Sequence, residues 1–152
     1  MLKKNQTISL AIFSLILFTP YCKRKEAPHI TELRQFFTSA ANQFEVESHH
    51  LDKTATPAEV KQSMLALEKV FSENIRAAKN LIQKYPQIMN ERPTIQIILK
   101  EEMHTLQKSI QLVARKVAYW QEKLAKDKEF NTIKKRIENL NNGFEFDTKS
   151  KD

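Results

Sequence analysis

Apolar residues follow one another along this chain in two different ways. From Ile8 to Phe18 they run together, interrupted only by Ser9 and Ser14. From Ile30 onward they recur at steps of three and four, the spacing that places side chains on one face of an α-helix. Ile30, Leu33, Phe37, Ala40, Ala41, Phe44 and Leu51 mark a first helix over residues 30–50, with Thr31 as a candidate cap. Thr56-Pro57-Ala58-Glu59 reads as a capping box with proline at the first helical position, where no amide hydrogen is missed, so a second helix starts at Pro57. Its stripe is Val60, Met64, Leu67, Phe71, Ala78, Leu81 and Tyr85, widened by Ile75 and Ile82, and Pro86 forbids its continuation.

Residues 86–93 read as a loop, with Asn90 as a cap and Pro93 in the first turn of a third helix. That helix carries a heptad-like seam, Ile95, Leu99, Leu106, Ile110, Val113, Val117, Trp120 and Leu124, interrupted only around Met103. Beyond it Phe130, Ile133, Ile137 and Leu140 keep helical spacing among themselves but fall out of phase with the seam. No proline or glycine marks the slip at Lys126-Asp127-Lys128, which favours one continuous or kinked rod; the other reading is a break with a short fourth helix folded back. Asn141-Asn142-Gly143 ends either version. The link Asp52 to Thr56 is too short for anything but an antiparallel pair of first helices. The expected fold class is all-α: an elongated three-helix bundle or coiled-coil-like set of antiparallel helices, with room for a short fourth helix. The bundle spans residues 30–143, with a tail over 144–152. No internal repeat is evident.

Composition narrows the function more than the fold. Gly143 is the only glycine in 152 residues, so the glycine-dependent Walker loop, dinucleotide fingerprint and nucleophile elbow are all missing. At the other end of the chain, Lys3 and Lys4 precede an apolar run of eleven residues, Ile8 to Phe18. A spanning helix needs about 20 apolar residues, and here Thr19-Pro20 and then Lys23-Arg24-Lys25 cut the run off, which are the proportions of an export signal.

The only cysteine, Cys22, stands at the edge of that segment. Residues Met1 to Cys22 resemble the signal of a bacterial lipoprotein, in which the cysteine becomes the first residue of the mature chain. Where the family pattern has leucine or a similar residue and then small ones, this chain has Thr19, Pro20 and Tyr21, a relaxed version of the kind familiar in spirochaete lipoproteins. The resemblance implies a leader over residues 1–21, lipidation at Cys22, and a polar tether over residues 22–29 leading to the bundle. It also implies a place in the cell envelope, bound to a bilayer through the acylated Cys22. A lone thiol in an exported chain has no internal disulfide partner, and acylation would use it up. The competing reading is an incidental cysteine in a leader removed elsewhere or kept as an anchor.

Loss of the leader removes Lys3 and Lys4 and takes the formal charge from +7 to +5. The excess lies between Leu106 and Leu140, where nine basic residues face four acidic ones. Lys108 with Arg115, and Lys116 with Lys123, are seven apart and share helix faces, a candidate anion-binding face for a phosphorylated lipid, an anionic envelope polymer or an acidic protein partner. The bland alternative is a solvated helix face. Nucleic acid is not expected of an exported chain.

Metal-ligand chemistry rests on His49 and His50, with Glu45 one turn before His49, and on His104 beside Met103, a pair of residue types that ligate haem in some bundles. Adjacent histidines project about 100° apart on a helix and chelate one ion poorly. The competing function is accordingly a periplasmic or secreted bundle that binds a metal or haem. The expectation is nevertheless a non-catalytic interaction or structural protein without a cofactor, because no activated nucleophile stands out. The pattern does not decide whether the bundle pairs with itself.

Overall fold

The computed structural model describes residues 26–142; the leader, Cys22, the start of the tether and the tail fall outside the described residues. The described residues form α1 (Pro28–His50), α2 (Pro57–Lys84), a 3-10 turn (Pro86–Met89), α3 (Arg92–Ile98), α4 (Lys100–Lys123) and α5 (Lys128–Asn142). The all-α expectation holds. No described helix is long and apolar enough to cross a membrane.

The first helix starts at Pro28, earlier than its apolar stripe. Proline at N1 has its φ preset for a helix, Ala27 takes the cap position without a side-chain bond, and Thr31 is already inside the helix. The capping box at α2 forms as its sequence dictates: the Glu59 amide donates to Thr56 Oγ1 at 3.3 Å, and the Thr56 amide donates to the Glu59 carboxylate at 2.6 Å. Pro86 ends α2 as expected, with Tyr85 at φ −130° and ψ 75°.

The region after Pro86 also departs from expectation. Asn90 is not a helix cap: α3 begins after Glu91 with no side-chain cap bond, and the preceding loop contains a 3-10 turn. The third stripe is also not one rod. It is offset at Leu99, although the Leu99 amide still donates to the Ile95 carbonyl at 2.8 Å and the Met103 amide to the Leu99 carbonyl at 3.0 Å. Ile95 and Leu99 belong to a small core with Ile30, Leu33 and Ile88, whereas Leu106, Val113 and Trp120 belong to the main one. The irregularity near Met103 is thus the boundary between two cores.

After Leu124 the chain breaks and folds back, against the favoured reading of a continuous or kinked helix. Asp127 supplies the physical reason. Its amide donates to the Leu124 carbonyl at 2.9 Å, closing a turn, and its carboxylate accepts the Phe130 amide at 2.9 Å as the cap of α5. Asn131 Nδ2 donates to the Ala125 carbonyl at 3.0 Å, satisfying another backbone group at the break. The reward is burial: Phe130 is 0% and Ile133 2% exposed.

Pairings across the helices set their directions. Glu32 with Lys84, and Gln43 with Asn74, make α1 and α2 antiparallel. Arg34 with Glu102, and Leu51 with Trp120, make α4 parallel to α1. Lys61 with Glu129, and Glu68 with Arg136, make α5 parallel to α2. The result is an up-down-up-down bundle with four helices over one half and three over the other, because the 15-residue α5 runs beside only part of the 28-residue α2. The connection through the 3-10 turn and α3 closes the three-helix end.

Candidate functional site

One apolar concave surface lies in the half where four helices run side by side. α5 lies closely on α2, and between α5 and α4 the surface opens into a groove of about 270 Å³. Met64, Leu67 and Phe71 of α2 form its floor, Ile110, Val113 and Val117 of α4 one wall, and Ile137 of α5 the other. Gln121, Lys134 and Glu138 supply the polar rim, with Lys134 Nζ 2.5 Å from Glu138. A second, much smaller hollow shares Phe71 and Ile110 and continues past Ala40, Phe44 and Ile75. Both hollows are carbon-lined, and such a surface suits an apolar side chain rather than bond-making chemistry.

The histidine pair lies at the opposite pole of α1 from Pro28. His49 and His50 are exposed and line an open depression of about 530 Å³ together with Glu47, Asp52, Glu59 and Ser63. Two of the three carboxylates there, Asp52 and Glu59, already have partners. Asp52 accepts Lys116 Nζ at 2.5 Å, which holds its carboxyl below the usual range, and the Thr56 backbone amide does the same for Glu59. Among the described residues no three His, Cys, Asp or Glu side chains converge as a metal site would require. His104 is exposed on α4, while the neighbouring Met103 packs on the small core.

The four basic residues of the candidate anion face do not act together. Lys116 turns toward the end of α1, where it donates to the Ser48 carbonyl at 2.6 Å as well as to Asp52. Lys123 lies 5.7 Å from the centre of the Tyr119 ring, on which Lys53 also stands at 5.3 Å. Lys108 and Arg115 remain exposed, and Arg115 Nε is 3.4 Å from the Gln111 carbonyl of its own helix. Further along, Arg136 grips Glu68 through two bonds of 2.8 Å. Lys116 and Arg136, two of the nine basic residues of this stretch, therefore hold helices together.

One surface was not singled out by periodicity. Ile97 is 77% exposed, Ile98 44% and Met89 46%, all in the connection that closes the three-helix end. The signal was present in Ile95-Gln96-Ile97-Ile98-Leu99: a single inward stripe accounts for Ile95 and Leu99 and leaves the other two isoleucines without a role.

At that end His29 Nε2 meets the Glu91 carboxylate at 2.8 Å, and Glu32 accepts bonds from Lys84 and Tyr85, which together lower its pKa. These contacts fasten the connection to α1. Compared with known protein families, with curated proteins and with solved structures, the chain matches none of them.

Proposed function

We propose that this is a lipid-anchored protein of a bacterial cell envelope, working without catalysis as a binding or scaffolding bundle. The observation that carries the reading is Cys22, the only thiol of the chain, placed where the apolar leader gives way to Lys23-Arg24-Lys25. A diacylglyceryl group on that sulfur, with an amide-linked acyl chain on its amine, supplies more than the two hydrophobic signals that stable anchoring requires, at about 0.8 kcal/mol for each buried methylene.

The bundle supports the reading as a self-sufficient module. Among the described residues no buried side-chain nitrogen or oxygen lacks a hydrogen-bond partner. Two apolar cores account for the inward stripes of the helices, so the fold stands on its own packing. The groove beside α5 is the place where an apolar segment of a protein partner would dock, with Lys134, Glu138 and Gln121 available at its rim.

Labelled palmitate should enter the wild-type protein and not Cys22→Ala, and mass spectrometry of the native N-terminus should find acylated Cys22 as residue one. Equal labelling of the two proteins, or a mature terminus at any other residue, refutes the reading.

A further inference from the structure

The exposed apolar residues are unevenly distributed. Five large ones are exposed among the described residues, and three of them, Met89, Ile97 and Ile98, lie within ten residues of one another in the connection between α2 and α4. They are not spill-over from the core. Ile95 and Leu99 already fill the inward side at 6% and 0% exposure, and Ile97, two positions from Ile95, projects about 200° around the helix. Nothing in the fold asks for isoleucine there.

This end of the bundle is also where the chain enters. α1 starts here at Pro28, and the connection is tied to that start by His29 with Glu91 and by the shared core of Ile30, Ile88 and Ile95. Cys22 precedes Pro28 by six residues, which span at most about 20 Å when fully extended. α1 itself is 23 residues, about 35 Å long. A bilayer holding a lipid on Cys22 therefore has the isoleucine end within reach. In sequence, Lys23-Arg24-Lys25 stand between Cys22 and α1, and Lys100 follows the isoleucines ahead of Glu101 and Glu102; a run of three cations next to a lipidated residue favours a surface of anionic headgroups.

We propose that Met89, Ile97 and Ile98 insert into the bilayer interface as a second membrane contact, and that they orient the bundle end-on with its four-helix half pointing away. The inference rests on acylation of Cys22. A lipid on one residue, by itself, does not fix the angle at which the bundle stands. A second contact at the base fixes which surfaces face outward, and the open depression at His49 and His50 becomes the distal tip.

The acylated sulfur frees the chain of thiols, so a cysteine introduced elsewhere can be labelled alone. The full lipidated protein carrying Ile97→Cys or Lys53→Cys, labelled with an environment-sensitive fluorophore, is reconstituted in vesicles of phosphatidylethanolamine and phosphatidylglycerol. Position 97 is already exposed, so the label does not disturb the core. Spin-labelled acyl chains should quench the probe at 97 several-fold more than the probe at 53, and aqueous iodide should show the reverse order.

Equal iodide quenching at both positions overturns the inference while leaving the anchor in place. So does a probe at 97 shielded from both quenchers, which would mean that protein covers the patch. Failure of the wild-type chain to acylate Cys22 is a separate result that ends the anchoring reading and this one together.

Discussion

Phe130→Ala asks whether α5 is docked or the chain continues as a rod. Phe130 is completely buried, and its neighbour on the same stripe, Ile133, is nearly so. The other links from α2 to the Asp127–Arg136 region are surface ion pairs, Lys61 with Asp127 and Glu129 and Glu68 with Arg136. Exposed pairs of this kind contribute little, so the apolar side chains carry the docking, Phe130 and Ile133 fully buried and Ile137 and Leu140 partly so. Truncating a buried phenylalanine costs about 3–5 kcal/mol. With a urea slope of about 2 kcal/mol per molar, the unfolding midpoint should drop by about 2 M.

A rod running from Lys100 to Asn142 would be about 64 Å long and would leave Phe130 in water, where its loss is nearly neutral. The assay is urea unfolding followed by far-UV circular dichroism and by the fluorescence of Trp120, the only tryptophan. Lys135→Ala, an exposed position on the same helix, is the control and should stay within about 0.5 kcal/mol of wild type. A midpoint for Phe130→Ala that matches this control refutes the docked arrangement. Loss of α5 helicity at low urea, ahead of the main transition, would also fit docking and would show that α5 leaves first.

Two further outcomes follow from the same geometry. Trp120→Phe removes the Nε1–H that donates to the buried Leu51 carbonyl at 3.0 Å, and leaving that acceptor unmet should cost about 1–3 kcal/mol in a thermal or urea melt; an unchanged melt means the bond does not join α4 to the end of α1. Acid should destabilise the bundle, because the carboxyls of Glu32, Asp52, Glu59 and Asp127 all lie below their ordinary values of 4.5 for glutamate and 3.8 for aspartate. A carboxyl depressed in the folded state contributes in full above its unfolded pKa, and that contribution fades as pH falls through the folded value. The unfolding midpoint should hold from neutrality to about pH 5 and decline below about pH 4, whereas a midpoint that rises below pH 4 contradicts the assignment.

The parts of the fold that are legible in the sequence are those governed by local rules. The start of α2 follows from Thr56, Pro57 and Glu59 alone, and its end from Pro86. The break after Leu124 is not local in that sense. Asp127 is an ordinary charged residue until Phe130 and Ile133 find a core to fill, and that core is assembled from α1, α2 and α4, far away in sequence. The phase slip was the visible trace of this, and the lack of glycine or proline argued the wrong way because an aspartate cap can end a rod as well.

The candidate sites divide in the same manner. His49, His50 and His104 are where their helices must put them, on the outside. Lys116 could not be distinguished from Lys108 by spacing, since only the position of the α1 terminus draws it to Ser48 and Asp52. The groove beside α5 depends on α5 packing on α2 and standing off from α4, which no periodicity reports.

The stagger of α5 on α2 has a consequence for how the molecule is presented. Glu129 sits level with Lys61 and Arg136 with Glu68, so Asn142 comes level with Asn74, partway along the bundle. The described backbone therefore begins and stops within one half of the structure, while two of its three reversals, 51–56 and 124–127, cap the opposite pole. A tag or fusion joined after Asn142 would hang from the flank, leaving that pole unobstructed for display.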